Sequence, residues 1–278
     1  MMRHRSSTMT LDKKYNLIAL DLDGTVLNNA HNVTEKVRMA LRQVVESGIH
    51  VVLASSRPPR SVLDLARYIG TKAPIIALGG GVVVNQNGDL FVLDRATITQ
   101  ENVKKIAALC KQNDITLNLY SEWNWYVDRL DNRVQNEIEI IGFAPTIVEA
   151  IEQLDCEPEK ILIMGEPDSL QTFHHEISQQ AFNIDTSFSK PTYYEITAAN
   201  INKATALSYV CQQLNVLSSE TIAVGDNFND LDMLEWASLG VAMDNAPAKV
   251  KAIADLTIGG NDEDGVAYFV QEVFLQSL

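Results

Sequence analysis

Three apolar runs near the start of the chain, Asn16 to Leu20 (NLIAL), Ile49 to Ala54 (IHVVLA) and Pro74 to Leu78 (PIIAL), are almost unbroken by polar side chains. Strands buried on both faces of a parallel sheet read this way. The intervening segments keep a helical period. Thr34 is placed to cap a helix whose apolar face is Val37, Leu41, Val44 and Val45, and Gly48 ends it, while Pro58 and Pro59 open the next helix. Strand and helix in alternation predict parallel strands joined by right-handed crossovers.

The pattern changes after Gly79-Gly80-Gly81. Val82 to Val84 and Leu90 to Leu93 flank Asn87-Gly88, a strong hairpin signal. A helix from Thr99 to about Lys111 follows, then strand-like runs at Thr116 to Tyr120, Trp125 to Asp128 and Ile161 to Met164. Near Tyr193 the alternation returns, with helices at Lys203 to Leu214 and Asp230 to Ala237 and strands at Thr221 to Val224 and Leu239 to Ala242. The expected architecture is α/β: a Rossmann-like parallel core from residues 15–82 and 189–278, interrupted by an α+β cap at 83–188. Hinges are expected near Val82 and near Ser189 to Thr192. Residues 1–14, polar and without an apolar segment, read as a disordered extension rather than a signal peptide.

Charge sharpens this division. The 278 residues carry 36 acidic and 22 basic side chains, a formal charge of −14. Residues 1–82 hold 11 basic and 6 acidic groups (+5), residues 83–188 hold 7 and 18 (−11), and residues 189–278 hold 4 and 12 (−8). Binding to a nucleic-acid backbone or an anionic membrane surface normally needs a basic face, so neither partner is expected. No stretch approaches the ~20 apolar residues of a membrane span. Cys110, Cys156 and Cys211 are isolated, which suggests free thiols and a reducing cytoplasm rather than disulfides or a zinc site.

The chemistry gathers at strand ends. Asp21-Leu22-Asp23-Gly24 leaves the first strand with two carboxylates at i and i+2, and the outlet of a parallel strand is where ligands bind in open α/β sheets. An ordinary acidic turn explains this motif alone equally well. Three later features weigh against that: Ser55 after the second strand, Lys203 opening a helix, and Gly225-Asp226-Asn227-Phe228-Asn229-Asp230 after a further strand. All can converge on one rim.

With these four ordered motifs, and Gly240-Val241-Ala242-Met243 and Asn261 to Ala267 beyond them, the chain resembles the haloacid dehalogenase superfamily, specifically Cof-type phosphatases with a class IIB cap. The resemblance spans nearly everything from Tyr15 onward. It implies a Mg²⁺-dependent phosphatase of small phosphorylated metabolites, with Asp21 as nucleophile and an aspartyl-phosphate intermediate. It further implies Asp23 as general acid and then base, Ser55 and Lys203 on the phosphoryl group, and Mg²⁺ held by Asp21, the Asp23 carbonyl and Asp226, with Asp230 close by. Asn229 and Arg57 are candidate substrate contacts. An acid at position 23 separates phosphatases and mutases from family members that cleave carbon–halogen bonds.

Ser55-Ser56-Arg57 departs from the usual Thr-Gly-Arg but keeps a hydroxyl, and Ala204 replaces a usual glycine. Gly79 stands where asparagine is common, which weakens any inference about substrate, and Asp244 stands where glycine is common. Trp123, Trp125 and Tyr126 suit half-buried strand packing better than ligand stacking, and His174-His175 a solvated helix face better than a metal site. A phosphomutase or phosphotransferase using the same intermediate is the nearest alternative; a non-catalytic regulator of the same fold is disfavoured by the intact acid and lysine. The sequence leaves the substrate and the oligomeric state open.

Overall fold

The computed structural model describes residues 15–85, 89–92 and 96–275. The expected N-terminal extension and the Asn87-Gly88 turn lie outside them. Five parallel strands form the first sheet, in the order Leu256–Ile258, Leu239–Met243, Thr221–Gly225, Leu17–Leu20, His50–Leu53. Successive side chains of a strand point to opposite faces, and here each face has its own core. Ile18, Leu20, Val224 and Val241 pack with the helices Glu35–Glu46 and Pro59–Ile69. Leu17, Ala19, Ala223 and Ala242 pack with the helices Lys203–Leu214 and Leu231–Trp236. The unbroken apolar runs are the consequence of burial on both sides. Thr34 caps its helix by accepting from the Val37 amide at 3.2 Å, and Gly48 follows the helix with φ +90°.

The register places the functional strand ends side by side. Leu20 pairs with Val224 on one side and Leu53 on the other, and the Asp21 amide donates to the Val224 carbonyl at 3.0 Å. Asp21, Ser55 and Asp226 therefore leave neighbouring strands at the same edge.

A parallel bridge from Ala54 to Ile76 attaches a small antiparallel sheet, Ile75–Ala77, Val82–Val84 and Leu90–Val92. The boundary expected at 82/83 thus falls inside a strand. Between these strands, Gly80 has φ +113°, and a Cβ there would lie 2.2 Å from the Asn202 carbonyl oxygen. Only a glycine lets this turn press against the start of the Lys203 helix.

The second large sheet has six strands, ordered Ile184–Lys190, Tyr193–Ala198, Lys160–Met164, Thr116–Ser121, Asn124–Val127, Thr146–Ile147, antiparallel except for the last pair. One face, with Leu117, Leu119, Ile161, Ile163 and Tyr194, packs on the helices Gln100–Gln112 and Pro167–Ser178. The chain was expected to rejoin the core at 189. Instead, residues 184–198 form a hairpin of this sheet. Pro191-Thr192 is its turn rather than a hinge, and the chain re-enters the core between Ala198 and Lys203. Among the described residues no helix is long and apolar enough to cross a membrane.

Candidate active site

A cavity of about 270 Å³ opens where the six-stranded sheet covers the strand ends. Its floor includes Asp21, Asp23, Ser55, Arg57, Asp226 and Asn229, so six of the eight residues expected from the sequence line one space. Lys203 and Asp230 lie beneath it, 1% and 0% exposed.

Lys203 begins its helix behind Asn202, whose side chain accepts from the Thr205 amide. The helix start aims the ammonium at Asp21 and at Asp230, the latter at 2.6 Å. Burial alone lowers a lysine pKa, but the two carboxylates outweigh it and raise that of Lys203. The second Asp230 oxygen accepts from the amides of Asp226 (3.1 Å) and Asn227 (3.0 Å). Asp230 thereby ties Lys203 to the Asp226 loop.

Asp21 and Asp226 are left facing the cavity. Burial, then the other carboxylates of the group, push the Asp21 pKa up against the pull of Lys203. The same two effects push Asp226 up to about 7. Each of Asp21, Asp226 and Asp230 offers a carboxylate oxygen within 4.8 Å of the others. Several hard oxygen donors with one lysine between them are under-compensated, and this is the donor set a small divalent cation such as Mg²⁺ prefers. The surroundings hold the set in place: Asn245 Nδ2 donates to the Gly24 carbonyl at 2.8 Å and to Asp226 at 3.4 Å, and Thr25 Oγ1 reaches Asp226 at 3.4 Å. Gly24 has φ +84°, and a Cβ there would lie 2.3 Å from Asp226 Oδ2. The Asp-x-Asp-Gly glycine is needed both for its turn and for this approach.

Asp23 has a different environment. Arg57 grips it with two hydrogen bonds of 2.7 Å, and His31 Nδ1 lies 3.2 Å away. Burial pushes the Asp23 carboxyl up, yet the Arg57 and His31 contacts prevail and hold it well below the ordinary carboxylate range. In this arrangement Asp23 is ionised, the form of a base rather than of an acid. Arg57 also donates to the Ile140 carbonyl at 2.9 Å, tying the floor to the helix Asn132–Ile141 above it. Ser55 Oγ accepts from the Arg57 amide at 3.1 Å, leaving its own proton available. Asn229 is turned to Ser56 Oγ, at 3.2 Å.

The roof is what sequence reasoning missed. Lys160 pairs with Glu195 at 3.0 Å and donates to the Ser56 carbonyl at 2.9 Å. Burial raises the Glu195 pKa, but the Lys160 charge outweighs it and holds the group ionised. Glu137, Tyr193 and Lys190 also line the cavity. A signal existed: in Lys160–Met164 the charged residue shares its face with Leu162 and Met164, and a lysine inside an apolar strand must meet a partner.

The aromatic and histidine candidates are structural. Trp125 is buried, donates to Asn118 Oδ1 at 3.0 Å and stacks on Tyr120. His174 contacts the Tyr194 hydroxyl at 2.9 Å, and His175 contacts Gln179. Asp244 forms an ion pair with Lys251 at 2.7 Å, which accounts for a charge the sequence left unexplained.

Residues 18–270 match the family of haloacid dehalogenase-like hydrolases. The chain belongs to that family. YxeH of Bacillus subtilis (strain 168) is 31% identical over 271 residues, covering 94% of this chain and 99% of that protein. The 5-amino-6-(5-phospho-D-ribitylamino)uracil phosphatase YcsE of the same organism is 29% identical, covering 92% and 94%. The crystal structure of a haloacid dehalogenase-like hydrolase from Bacteroides thetaiotaomicron superposes with a TM-score of 0.85 at 31% identity, covering 94% of this chain and all of that one. The parallel core and separate α+β sheet described above are the architecture of this hydrolase family.

Proposed function

We propose that the protein is a Mg²⁺-dependent phosphatase that hydrolyses small phosphorylated metabolites, sugar phosphates or related phosphomonoesters, through an aspartyl-phosphate on Asp21. The observation that carries this reading is Asp21 itself, a buried carboxylate facing the cavity, bonded to Lys203 and within reach of Asp226. The phosphatase named among its relatives supports it.

Asp21, Asp226 and the Asp23 carbonyl would hold Mg²⁺, which when bound offsets the repulsion between a carboxylate nucleophile and a phosphate dianion. Lys203 and the Ser55 hydroxyl stabilise charge on the phosphoryl oxygens. The Asp21 oxygen forms a bond to phosphorus as the ester P–O bond breaks, and the departing alkoxide takes a proton from Asp23. Water then attacks phosphorus, gives its proton to Asp23, and the Asp21 carboxylate is restored with release of inorganic phosphate. The Arg57 pair suits the second half, in which Asp23 is a base; the first half requires that this pair loosen. The roof excludes bulk water during phosphoryl transfer.

The test is inorganic phosphate release from a metabolite panel, with and without Mg²⁺, by the wild type and Asp21→Asn. Loss of turnover in a variant with an unchanged thermal melt is expected. Phosphate release by Asp21→Asn at the wild-type rate would refute the mechanism. Transfer of the phosphoryl group to a sugar hydroxyl in place of water would mark the mutase alternative.

A further inference from the structure

The turn that leaves the second core strand, Ser55-Ser56-Arg57, carries the hydroxyl assigned above to the phosphoryl group. Ser55 Oγ accepts from the Arg57 amide at 3.1 Å, so Ser56 is the middle residue of the turn that aims it. The shape of such a turn follows the peptide between its two bonded ends. Its three carbonyls are held from different sides. Those of Ser55 and Arg57 accept from the Gly79 and Leu78 amides, each at 3.0 Å, within the core. That of Ser56 accepts instead from Lys160 Nζ at 2.9 Å, on the cap strand Lys160–Met164.

The Ser56 side chain is held as well. Its hydroxyl accepts from Asn229 Nδ2 at 3.2 Å and donates to Glu195, which the Ser189 hydroxyl also reaches. Glu195 is in turn the partner of Lys160, at 3.0 Å. Lys160 is 3% and Glu195 8% exposed. A buried ion pair is costly unless its geometry is tight and further hydrogen bonds satisfy it. Here the carbonyl and the hydroxyl of Ser56 supply such bonds, one to each partner. Ser56 stands where the usual Thr-Gly-Arg has glycine, which offers no hydroxyl. A pair on the cap is thus seated on the one residue whose peptide shapes the phosphoryl-binding turn.

We propose that Lys160 and Glu195 are positioning residues of phosphoryl transfer: they clasp Ser56 from the cap and thereby hold the Ser55 hydroxyl in place, and they do not contact the alcohol part of the substrate. This inference rests on the phosphatase reading above. A catalytic group displaced by about 1 Å costs on the order of 10²-fold in rate. The loss is independent of the leaving group, because Ser55 serves the phosphoryl group that every substrate shares.

The test measures kcat/KM, with Mg²⁺, on acetyl phosphate, p-nitrophenyl phosphate and a hexose phosphate. The proteins are the wild type, Lys160→Met and Lys160→Met/Glu195→Gln, each also in a Ser55→Ala background. The double substitution leaves no unpaired charge in the cap, so it keeps the fold even where Lys160→Met does not. Both variants lower kcat/KM by about 10²-fold, and by the same factor on the three substrates. In the Ser55→Ala background the same substitutions cost less than about threefold, because the group they position is gone.

A loss confined to the hexose phosphate, with acetyl phosphate hydrolysed at the wild-type rate, would overturn the inference and make Lys160 a contact of the leaving group. An equal loss with and without the Ser55 hydroxyl in a folded variant would overturn it too. Both results leave the phosphatase reading standing. A wild type that releases phosphate from none of the three substrates would refute that reading and this inference with it.

Discussion

Lys203 Nζ lies 2.6 Å from Asp230 Oδ1, and both side chains are almost wholly removed from solvent. The same ammonium also holds Asp21, so one cation compensates two buried carboxylates. Lys203→Met keeps the length of the side chain and removes the charge. Leaving buried acids unpaired costs about 3–5 kcal/mol, and loss of a preorganised charge at the phosphoryl group costs roughly 10²–10³ in kcat. Urea denaturation and phosphate release at saturating Mg²⁺ should both register the change. A fall in kcat below tenfold would show that Lys203 is structural only.

Arg57 joins the Asp23 carboxylate to the Ile140 carbonyl of the helix above the site. Arg57→Ala removes the contacts that hold Asp23 below the ordinary carboxylate range, and burial then acts on Asp23 with less opposition. Its pKa rises. Hydrolysis of the aspartyl-phosphate needs ionised Asp23, so where that step limits kcat the acidic limb of kcat against pH moves to higher pH in the variant. Hydrogen exchange in residues 132–141 should also quicken. Coincident pH profiles for the two proteins would remove Arg57 from control of Asp23.

The floor of the site was legible in the sequence because it is made of local chemistry. Asp21, Ser55 and Asp226 each follow an apolar run that could only be a buried strand, and parallel register then brings them together. The roof was not legible. Glu137, Lys160, Tyr193 and Glu195 come from three separate elements of an antiparallel sheet and its helix, and no spacing along the chain announces that they share a face. The same sheet misled the boundary. The alternation of strand and helix reads as returning near Tyr193, and only the pairing of Tyr193–Ala198 with Lys160–Met164 assigns that strand to the cap rather than to the core.

Gly80 bears on Lys203 from outside the site. A side chain at this position meets the Asn202 carbonyl oxygen at 2.2 Å and the Lys203 amide at 3.1 Å, with φ at +113°. Gly80→Ala must therefore displace the first turn of the Lys203 helix. A loss of more than about 3 kcal/mol is expected, at the upper end for a single methyl, because clash and backbone strain act together. The variant should also lose kcat while KM changes less, since the displaced Lys203 holds Asp21, the proposed nucleophile. A variant as stable and as active as the wild type would show that the turn can move without the helix.

Glu159 supplies a pH dependence of stability apart from that of Asp21 and Asp226. It is 2% exposed and accepts from the Glu122 amide at 2.7 Å. Burial pushes its carboxyl up to about 7. In the unfolded chain the same group titrates near 4.3. Between these values the folded state binds a proton that the unfolded state does not, so the contribution of Glu159 falls as pH rises through this window. At 1.36 kcal/mol per pKa unit the full loss is at most about 4 kcal/mol. Glu159→Gln keeps an acceptor for the Glu122 amide and carries no charge at any pH. The variant should match the wild type near pH 4.5 and exceed its stability progressively towards pH 8, as read by urea denaturation at a series of pH values. Because every other titrating group is common to both proteins, their difference isolates Glu159. A difference that stays constant across that range would mean that Glu159 reaches water in the folded state.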